Sequence, residues 1–315
     1  SMARYMDFLE GHDEPYRINH GDWLAFEHLG KRADGSTADA TDGRQVKVLN
    51  AYFRVWMASL MREMASATGR EEASRPYGEE ETKLRRAFAA AYVGADGQLK
   101  AEYRGQCNDL YMLKLGLCGN PAAVEATKRD LVANIKAHGD RLQTGFLGTA
   151  ILLPTLTFTA GEGKLAYSLL LQDKFPSWLY SVDQGATTIW ERWNGYTKER
   201  GYGPVGMNSF NHYAYGCVLE WLFAAAAGIR QEEGAVGWSR FLLAPVVDRR
   251  LGHLEAEYRS PAGTIKSAWR CTDGGWTWTF TVPDAARAIV IPPGSRDKKE
   301  YGAGTYVLKG GISNE

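Results

Sequence analysis

RQVKVLNAYFRVWMASLMREMASA, Arg44 to Ala67, is the stretch on which the fold turns. Its apolar positions Val48, Tyr52, Val55, Trp56, Leu60 and Met64 recur at intervals of three and four, which gives a long helix with one wide buried stripe. Asp42 stands where an N-cap belongs. Further helical segments follow on the same period. Glu79 to Tyr92 turns Leu84, Phe88 and Ala91 inward, and Gly105 to Leu117 gives the next. A helix then starts at Asn120-Pro121, with Pro at its first position, and ends at His138-Gly139. Gly145 to Ala160 and Lys164 to Gln172 make a further pair, and Ser209 to Ile229 reads as one long, almost wholly apolar helix. Upstream, Ala3 to Glu10 is a short amphipathic helix with Tyr5, Met6 and Leu9 on one side, and a Gly/Asp/Thr-rich loop separates it from Arg44. Eight or nine helices in series, joined by short polar turns, predict antiparallel helix hairpins rather than βαβ units.

Near Trp238 the period changes to two. LEAEYRS (254–260), TIKSAWR (264–270), WTWTFTV (276–282) and ARAIVI (286–291) alternate and are punctuated by Gly, Pro and Asp. The expected organisation is therefore a helical domain over 1–240 and an antiparallel β domain over 241–315.

One stretch fits neither pattern. Phe175 to Gly216 gathers Trp178, Tyr180, Trp190, Trp193, Tyr196, Phe210, Tyr213 and Tyr215 around Glu191, Arg192, Asn194, Asn211 and His212. Pro176, Gly185, Gly195 and the GYGPVG run keep much of it out of helix. Aromatic walls with a few convergent polar groups make a small-molecule pocket, and flat rings suit the apolar faces of sugars. The alternative is a loop-rich core cluster with Glu191 paired to Arg192 or another cation. Asp22, beside Trp23 in Gly21-Asp22-Trp23-Leu24, reads equally as a helix-end carboxylate or a site residue.

Composition narrows the classes. Lys plus Arg equals Asp plus Glu, 37 each, so no net field favours nucleic acid or an anionic membrane. Cys107, Cys118, Cys217 and Cys271 show no CxxC spacing, which leaves free thiols as the expectation and no metal or other cofactor. No apolar run reaches the roughly 18–20 residues of a membrane span. SMARYMDFLEGHDEP contains no signal-peptide apolar region. If the native chain starts at Met2, a cytoplasmic location is expected.

Taken together, MARYMDFLE, GDWLAF, GQCNDLYMLKLGL, TGFLGTAILLPTLT, AYSLLLQ, PSWLYSVDQGATTIWERW and MNSFNHYAYGCVLEWL resemble the bacterial α-L-rhamnosidases of glycoside hydrolase family 78. The resemblance implies an (α/α)6 barrel, here incomplete at its N-terminal side, followed by a small β-sandwich. It also implies hydrolysis of terminal α-L-rhamnosyl bonds with inversion. Glu191 in TIWERW matches the family's general base, and His212 in FNHYAYG matches a histidine that holds the sugar ring. Trp190, Trp193, Asp22, Trp23 and Asn211 are the accompanying substrate-binding candidates.

The family's general acid lies in a motif upstream of GDW that has no counterpart here; Glu10, Asp13 and Glu14 in EGHDEPYR do not match it. Three readings follow. The chain is a fragment of a longer rhamnosidase, or a hydrolase in which Asp22, Asp13 or Glu14 serves as acid, or a sugar-binding homologue without chemistry. A homo-oligomer covering the open side of the barrel is the expected assembly.

Overall fold

The described part of the chain begins with α1 (Met2–Glu10) and a short hairpin of β1 (Leu29–Lys31) and β2 (Thr37–Thr41), where the sequence suggested only loop. The structure is a computed structural model and describes residues 2–11, 21–31 and 37–311. In α1 Leu9 is buried, but Tyr5, expected on the inward side, is exposed.

Helix α2 (Gly43–Ala67) is capped as its sequence predicts, with Asp42 Oδ1 accepting from the Arg44 amide at 2.8 Å. Its partner α3 runs Glu71–Tyr92, eight residues longer at the front than the periodicity indicated. Pro76, a residue type that ordinarily breaks a helix, lies inside this added stretch. Tertiary contacts outweigh the roughly 3 kcal/mol such a proline costs. Ser74 Oγ donates to the Arg62 carbonyl at 3.0 Å, and Glu81 accepts from Arg62 Nε at 3.0 Å and Arg85 Nε at 2.9 Å. These bonds clamp the α2–α3 hairpin.

The succession continues through α4 (Gln106–Lys114), α5 (Pro121–Ala137), α6 (Phe146–Pro154), α7 (Gly163–Leu170) and α8 (Trp178–Asp183). Asn120 caps α5 by accepting from Ala123 N, and Ser177 caps α8 by accepting from Tyr180 N. The helical core is centred on Tyr52, Tyr111, Leu131, Leu152, Tyr167 and Trp221.

The expected helix from Ser209 to Ile229 does not form as one element. Residues 209–213 are irregular, Ala214–Cys217 is a 3₁₀ turn, α9 covers Val218–Trp221, and Leu222–Ala226 is a π turn. The cause lies at both ends. The amide of His212 and the carbonyl of Ser209 bond residues 189 and 191, outside the helix ladder. Ile229 already pairs with Leu243 as the first strand residue of the β part.

That part holds two four-stranded sheets. One is antiparallel, with β7 (His253–Ser260), β8 (Gly263–Thr272), β9 (Gly275–Val282) and β12 (Gly304–Gly310) in the order β12-β9-β8-β7. The other contains β5 (Ile229–Gln231), β6 (Arg240–Leu243), β10 (Arg287–Val290) and β11 (Lys299–Tyr301) in the order β11-β10-β6-β5. The β6–β10 pair is parallel, a departure from the purely antiparallel expectation; the β7–β9 meander supplies the long crossover it needs. Alternate residues Trp276, Trp278, Phe280 and Val282 of β9 meet Phe241, Leu243, Ala288 and Val290 of the opposite sheet in a second core.

The two cores are stitched by buried hydrogen bonds. Trp269 Nε1 donates to the Ala226 carbonyl at 2.7 Å, Ser267 Oγ to Ala227 at 2.6 Å, and Tyr167 Oη to Val246 at 2.6 Å. Gly228 between them has φ +75°, and a Cβ there would stand 2.2 Å from Pro245 N. Among the described residues no helix is long and apolar enough to cross a membrane.

Asp109 on α4 is buried in the helical core. Burial first, then the charges of Glu27 and Asp130, push its carboxyl up to about 8 from 3.8, against the opposing Arg104 guanidinium and Gly105 amide. A carboxyl whose folded pKa is raised contributes stability below its unfolded pKa and loses it as pH rises through the folded value. Urea midpoints should therefore fall between pH 5 and pH 8 beyond the background of other groups. Asp109→Asn should flatten that fall; an unchanged slope in the variant disproves this role for Asp109.

Candidate active site

Two chain segments are laid side by side to build the site. Glu191 N donates to the Ser209 carbonyl, and His212 N donates to the Ile189 carbonyl, both at 2.8 Å. Thr188 Oγ1 adds a bond to the Phe210 carbonyl. Segments 188–191 and 209–212 thereby run antiparallel, so Glu191 and His212, 21 residues apart in the chain, sit on neighbouring strands of loop.

Glu191 is half-buried, and its Oε2 accepts from Ser209 N at 2.8 Å. Among the described residues no ion pair reaches it. Arg192, the cation the sequence offered as its partner, is buried and points instead to Asn194 Oδ1 at 3.3 Å and the Met207 carbonyl at 3.4 Å. The carboxylate is thus held by an amide on one oxygen, the usual condition for a base that must still accept a proton.

His212 is half-buried between two rings. It stacks on Phe146 at 5.1 Å and 25°, and on Tyr213 at 5.2 Å and 13°. Its Nδ1 accepts from Ala214 N at 3.2 Å. The neutral ring therefore carries its proton on Nε2, where it can donate.

Trp190 and Trp193 stand on either side of Glu191 and Arg192 in the chain. Both are buried and, with Trp178 and Tyr215, line a cavity of about 260 Å³ to whose lining Glu191 does not belong. Trp190 meets Phe210 edge-on at 5.1 Å. Trp193 stacks on Tyr215 at 3.9 Å and donates Nε1 to the Thr144 carbonyl at 3.2 Å, toward the interior. Asn211 is exposed, and its backbone bonds Ser209 Oγ: the carbonyl accepts from it at 3.0 Å and the amide donates to it at 3.1 Å.

Asp22 is buried at 3% exposure. Its Oδ2 accepts from Gly145 N at 2.8 Å, and its Oδ1 accepts from Leu147 N at 2.8 Å and Gly148 N at 3.0 Å. Of the two sequence readings, the helix-end carboxylate is the one this geometry matches. Desolvation raises its pKa, opposed by those amides and by Cys107. Trp23, half-buried, accepts from Phe146 N at 3.0 Å through its carbonyl. Asp13 and Glu14 lie outside the described residues.

Sequence reasoning passed over Ser209, whose amide holds Glu191, and Phe146, which stacks on His212. A usable signal was present in TGFLGTA: two glycines bracketing an aromatic at a helix start mark a close backbone approach. A Cβ on Gly145 would stand 2.0 Å from the Trp23 carbonyl oxygen.

Helix hairpins in series, a carboxylate and an imidazole on loops at their ends, and a β-sandwich behind them define a hairpin-toroid glycosidase architecture. Comparison with known families agrees. The bacterial alpha-L-rhamnosidase 6 hairpin glycosidase domain matches residues 1–226, and the bacterial alpha-L-rhamnosidase C-terminal domain matches residues 228–306. The chain belongs to the bacterial α-L-rhamnosidase six-hairpin glycosidase family.

Among its relatives, an alpha-L-rhamnosidase of Streptomyces avermitilis is 36% identical over 312 residues, which cover 98% of this chain and 28% of that protein. One from Alteromonas sp. is 32% identical over 93% of this chain and 31% of its own length. The chain thus spans less than a third of either. In structure it is similar to the Streptomyces avermitilis alpha-L-rhamnosidase complexed with L-rhamnose, with a TM-score of 0.84 at 31% identity over 97% of this chain and 30% of that one. The native Aspergillus terreus enzyme gives 0.82 at 28% identity, covering 92% of this chain and 33% of that one.

The cavity aromatics give a paired prediction. Tyr215 Oη is buried without a hydrogen-bond partner among the described residues, whereas Trp193 Nε1 has one. Trp193→Phe should destabilise the fold by about 1–3 kcal/mol, because the smaller ring leaves a gap in the buried aromatic set and the Thr144 carbonyl keeps only the long bond from Thr149 Oγ1 at 3.4 Å. Tyr215→Phe should be neutral or stabilising, since it removes an unpaired buried polar group. Urea denaturation that shows the reverse order refutes the assignment.

Proposed function

We propose that this chain carries the general-base half of an inverting α-L-rhamnosidase site, with Glu191 as the base and His212 as a donor to the sugar hydroxyls. One observation carries the reading. Glu191 is held on one oxygen by the Ser209 amide, bears no cation among the described residues, and stands one strand of loop away from an imidazole in its Nε2–H form. In an inverting reaction the base keeps one water between itself and the anomeric carbon, with the acid roughly 6.5–9.5 Å away across the cleft. Glu191 would take the water's proton while the ring carbon inverts, and His212 would fix the ring against rotation. Asn211 adjoins His212 in the chain, Trp23 lies on the segment docked against the first turn of α6, and both are included in the proposed pocket. Trp190 and Trp193 support it from behind.

Asp22 is not assigned the acid role, since it is buried and both its oxygens are engaged by the first amides of α6. That placement favours a second reading for this chain by itself: rhamnose binding without turnover.

The test is p-nitrophenyl α-L-rhamnoside with wild type and Glu191→Gln. Turnover that falls about 10²–10⁴-fold in the variant supports the base assignment; turnover unchanged by the substitution disproves it. No turnover from wild type, with L-rhamnose raising the melting temperature, supports the binding reading.

The proposed partners are a neutral rhamnoside and a second copy of the chain, with neither nucleic acid nor membrane. Val182, Leu219, Tyr213, Tyr202 and Val205 are exposed around the site loops, and a homo-oligomer would cover such side chains. Sedimentation at micromolar concentration should give a species of twice the chain mass; a monomer rejects this assembly.

A further inference from the structure

We propose that Asp22 is a positioning residue for His212, acting through the first turn of α6 and the ring of Phe146. The inference rests on the proposed role of His212, but its geometry stands independently.

Phe146 is the first residue of α6, and its neighbours on both sides are pinned to the 22–26 segment. Asp22 takes the amides of Gly145, Leu147 and Gly148, while the amide of Phe146 itself goes to the Trp23 carbonyl. Phe26 N donates to Gln143 O at 2.8 Å, and Ala25 N returns to Asp22 O at 3.0 Å, so the segment is docked at both ends and folded on itself. Four consecutive amides of the helix start, 145 to 148, are therefore fixed by two residues. A single Ser or Asn cap fixes one or two. The backbone of Phe146 has little freedom to rotate.

Its ring has two neighbours of interest. It stacks on His212 at 5.1 Å, and it meets Tyr215 edge-on at 5.4 Å. Tyr215 is itself stacked on Trp193, whose Nε1 returns to Thr144, the residue just before the pinned turn. The loop of contacts closes. Thr144 to Gly148 is bound at one side by Asp22 and Trp23, and at the other by the aromatic set that supports the histidine.

The choice of a carboxylate for this task is informative. Asp22 is buried, and burial raises its pKa. A helix start needs only a neutral cap, which avoids that desolvation penalty. Only a carboxylate offers two acceptor atoms with lone pairs enough for three amides in one turn. The arrangement fits a site that requires the orientation of the turn, beyond its mere formation.

The experiment reads the imidazole directly. Histidine Cε1–H signals are recorded by NMR for wild type, Asp22→Asn, Phe146→Leu and the control Leu131→Ala, with His212 assigned through His212→Gln. Stacking on Phe146 displaces the His212 signal from the free-histidine position. Phe146→Leu and Asp22→Asn should both return it toward that position and weaken L-rhamnose binding on the order of tenfold to a hundredfold. Leu131→Ala, which removes a buried side chain on α5, should lower stability and leave both readings at wild type.

An Asp22→Asn protein that loses stability but keeps the wild-type His212 signal overturns the proposal, as does a control that shifts the signal equally. If Asp22→Asn does not fold, Phe146→Leu decides alone: no shift in that variant refutes the relay. If wild type does not bind L-rhamnose, the proposed function fails, while the NMR comparison still decides whether Asp22 orients His212.

Discussion

Two backbone hydrogen bonds, Glu191 N to Ser209 O and His212 N to Ile189 O, are the constraint from which the site follows. They take the His212 amide and the Ser209 carbonyl out of any helix ladder, which is why the apolar run after Ser209 becomes helical only at Ala214. They also set two side chains from distant parts of the loop in register. A loop held in this way by its own backbone is insensitive to the identity of most of its side chains. That leaves residues such as Glu191 free to be selected for chemistry rather than for packing.

The rest of the molecule serves that loop by rigidity. α6 presents its N-terminal turn to the histidine, and its continuation, the π turn Thr155–Ala160, receives Trp221 Nε1 on Thr157 Oγ1 at 2.8 Å. The second π turn, Leu222–Ala226, follows Trp221 at once and hands its last carbonyl, Ala226, to Trp269 of the β-sandwich, and the next one, Ala227, accepts from Ser267. Each π turn lowers the number of residues that satisfy their own ladder, and each is compensated by a side chain from another element. The alanines of the second turn leave room for the sandwich to approach. In this way the β part braces the last helical segment.

Much of this was legible in the sequence, and the failures have physical causes. Asp42, Asn120-Pro121 and the alternation of β7 to β9 are local signals in which the residue, its neighbours and the backbone agree. Pro76 and Gly78 are local signals too, but the Arg62–Glu81–Arg85 clamp to the preceding helix overrides them. Strands β5 and β6 are three and four residues long, too short to show a period. At the site, Glu191 and His212 could be singled out as candidates, since acid, imidazole and aromatic residues crowd one loop, and the structure brings the two onto neighbouring strands of that loop. The directions of Trp190, Trp193 and Asp22 could not. Side-chain direction depends on which backbone groups are engaged from the far side, here Thr144 and Gly145 to Gly148, more than a hundred residues from Asp22.

Asp22 and Glu191 make the closing comparison, because they are the same functional group in opposite circumstances. Asp22 is buried, gives both oxygens to three amides and stands at the positive end of a helix. Its proton affinity is a balance of burial against those amides, and its place is fixed either way. Glu191 is half-buried and gives one oxygen to one amide. A carboxylate that must gain a proton in every cycle needs an oxygen that is not already saturated with donors and a route for water to reach it. A carboxylate that must hold a helix start needs the reverse. Both stand in short aromatic motifs, GDW and ERW, and composition around them does not separate their roles. What separates them is the number of amides each meets, and that number is set by the fold: a helix N-terminus offers up to four, the edge of an antiparallel loop pair only one.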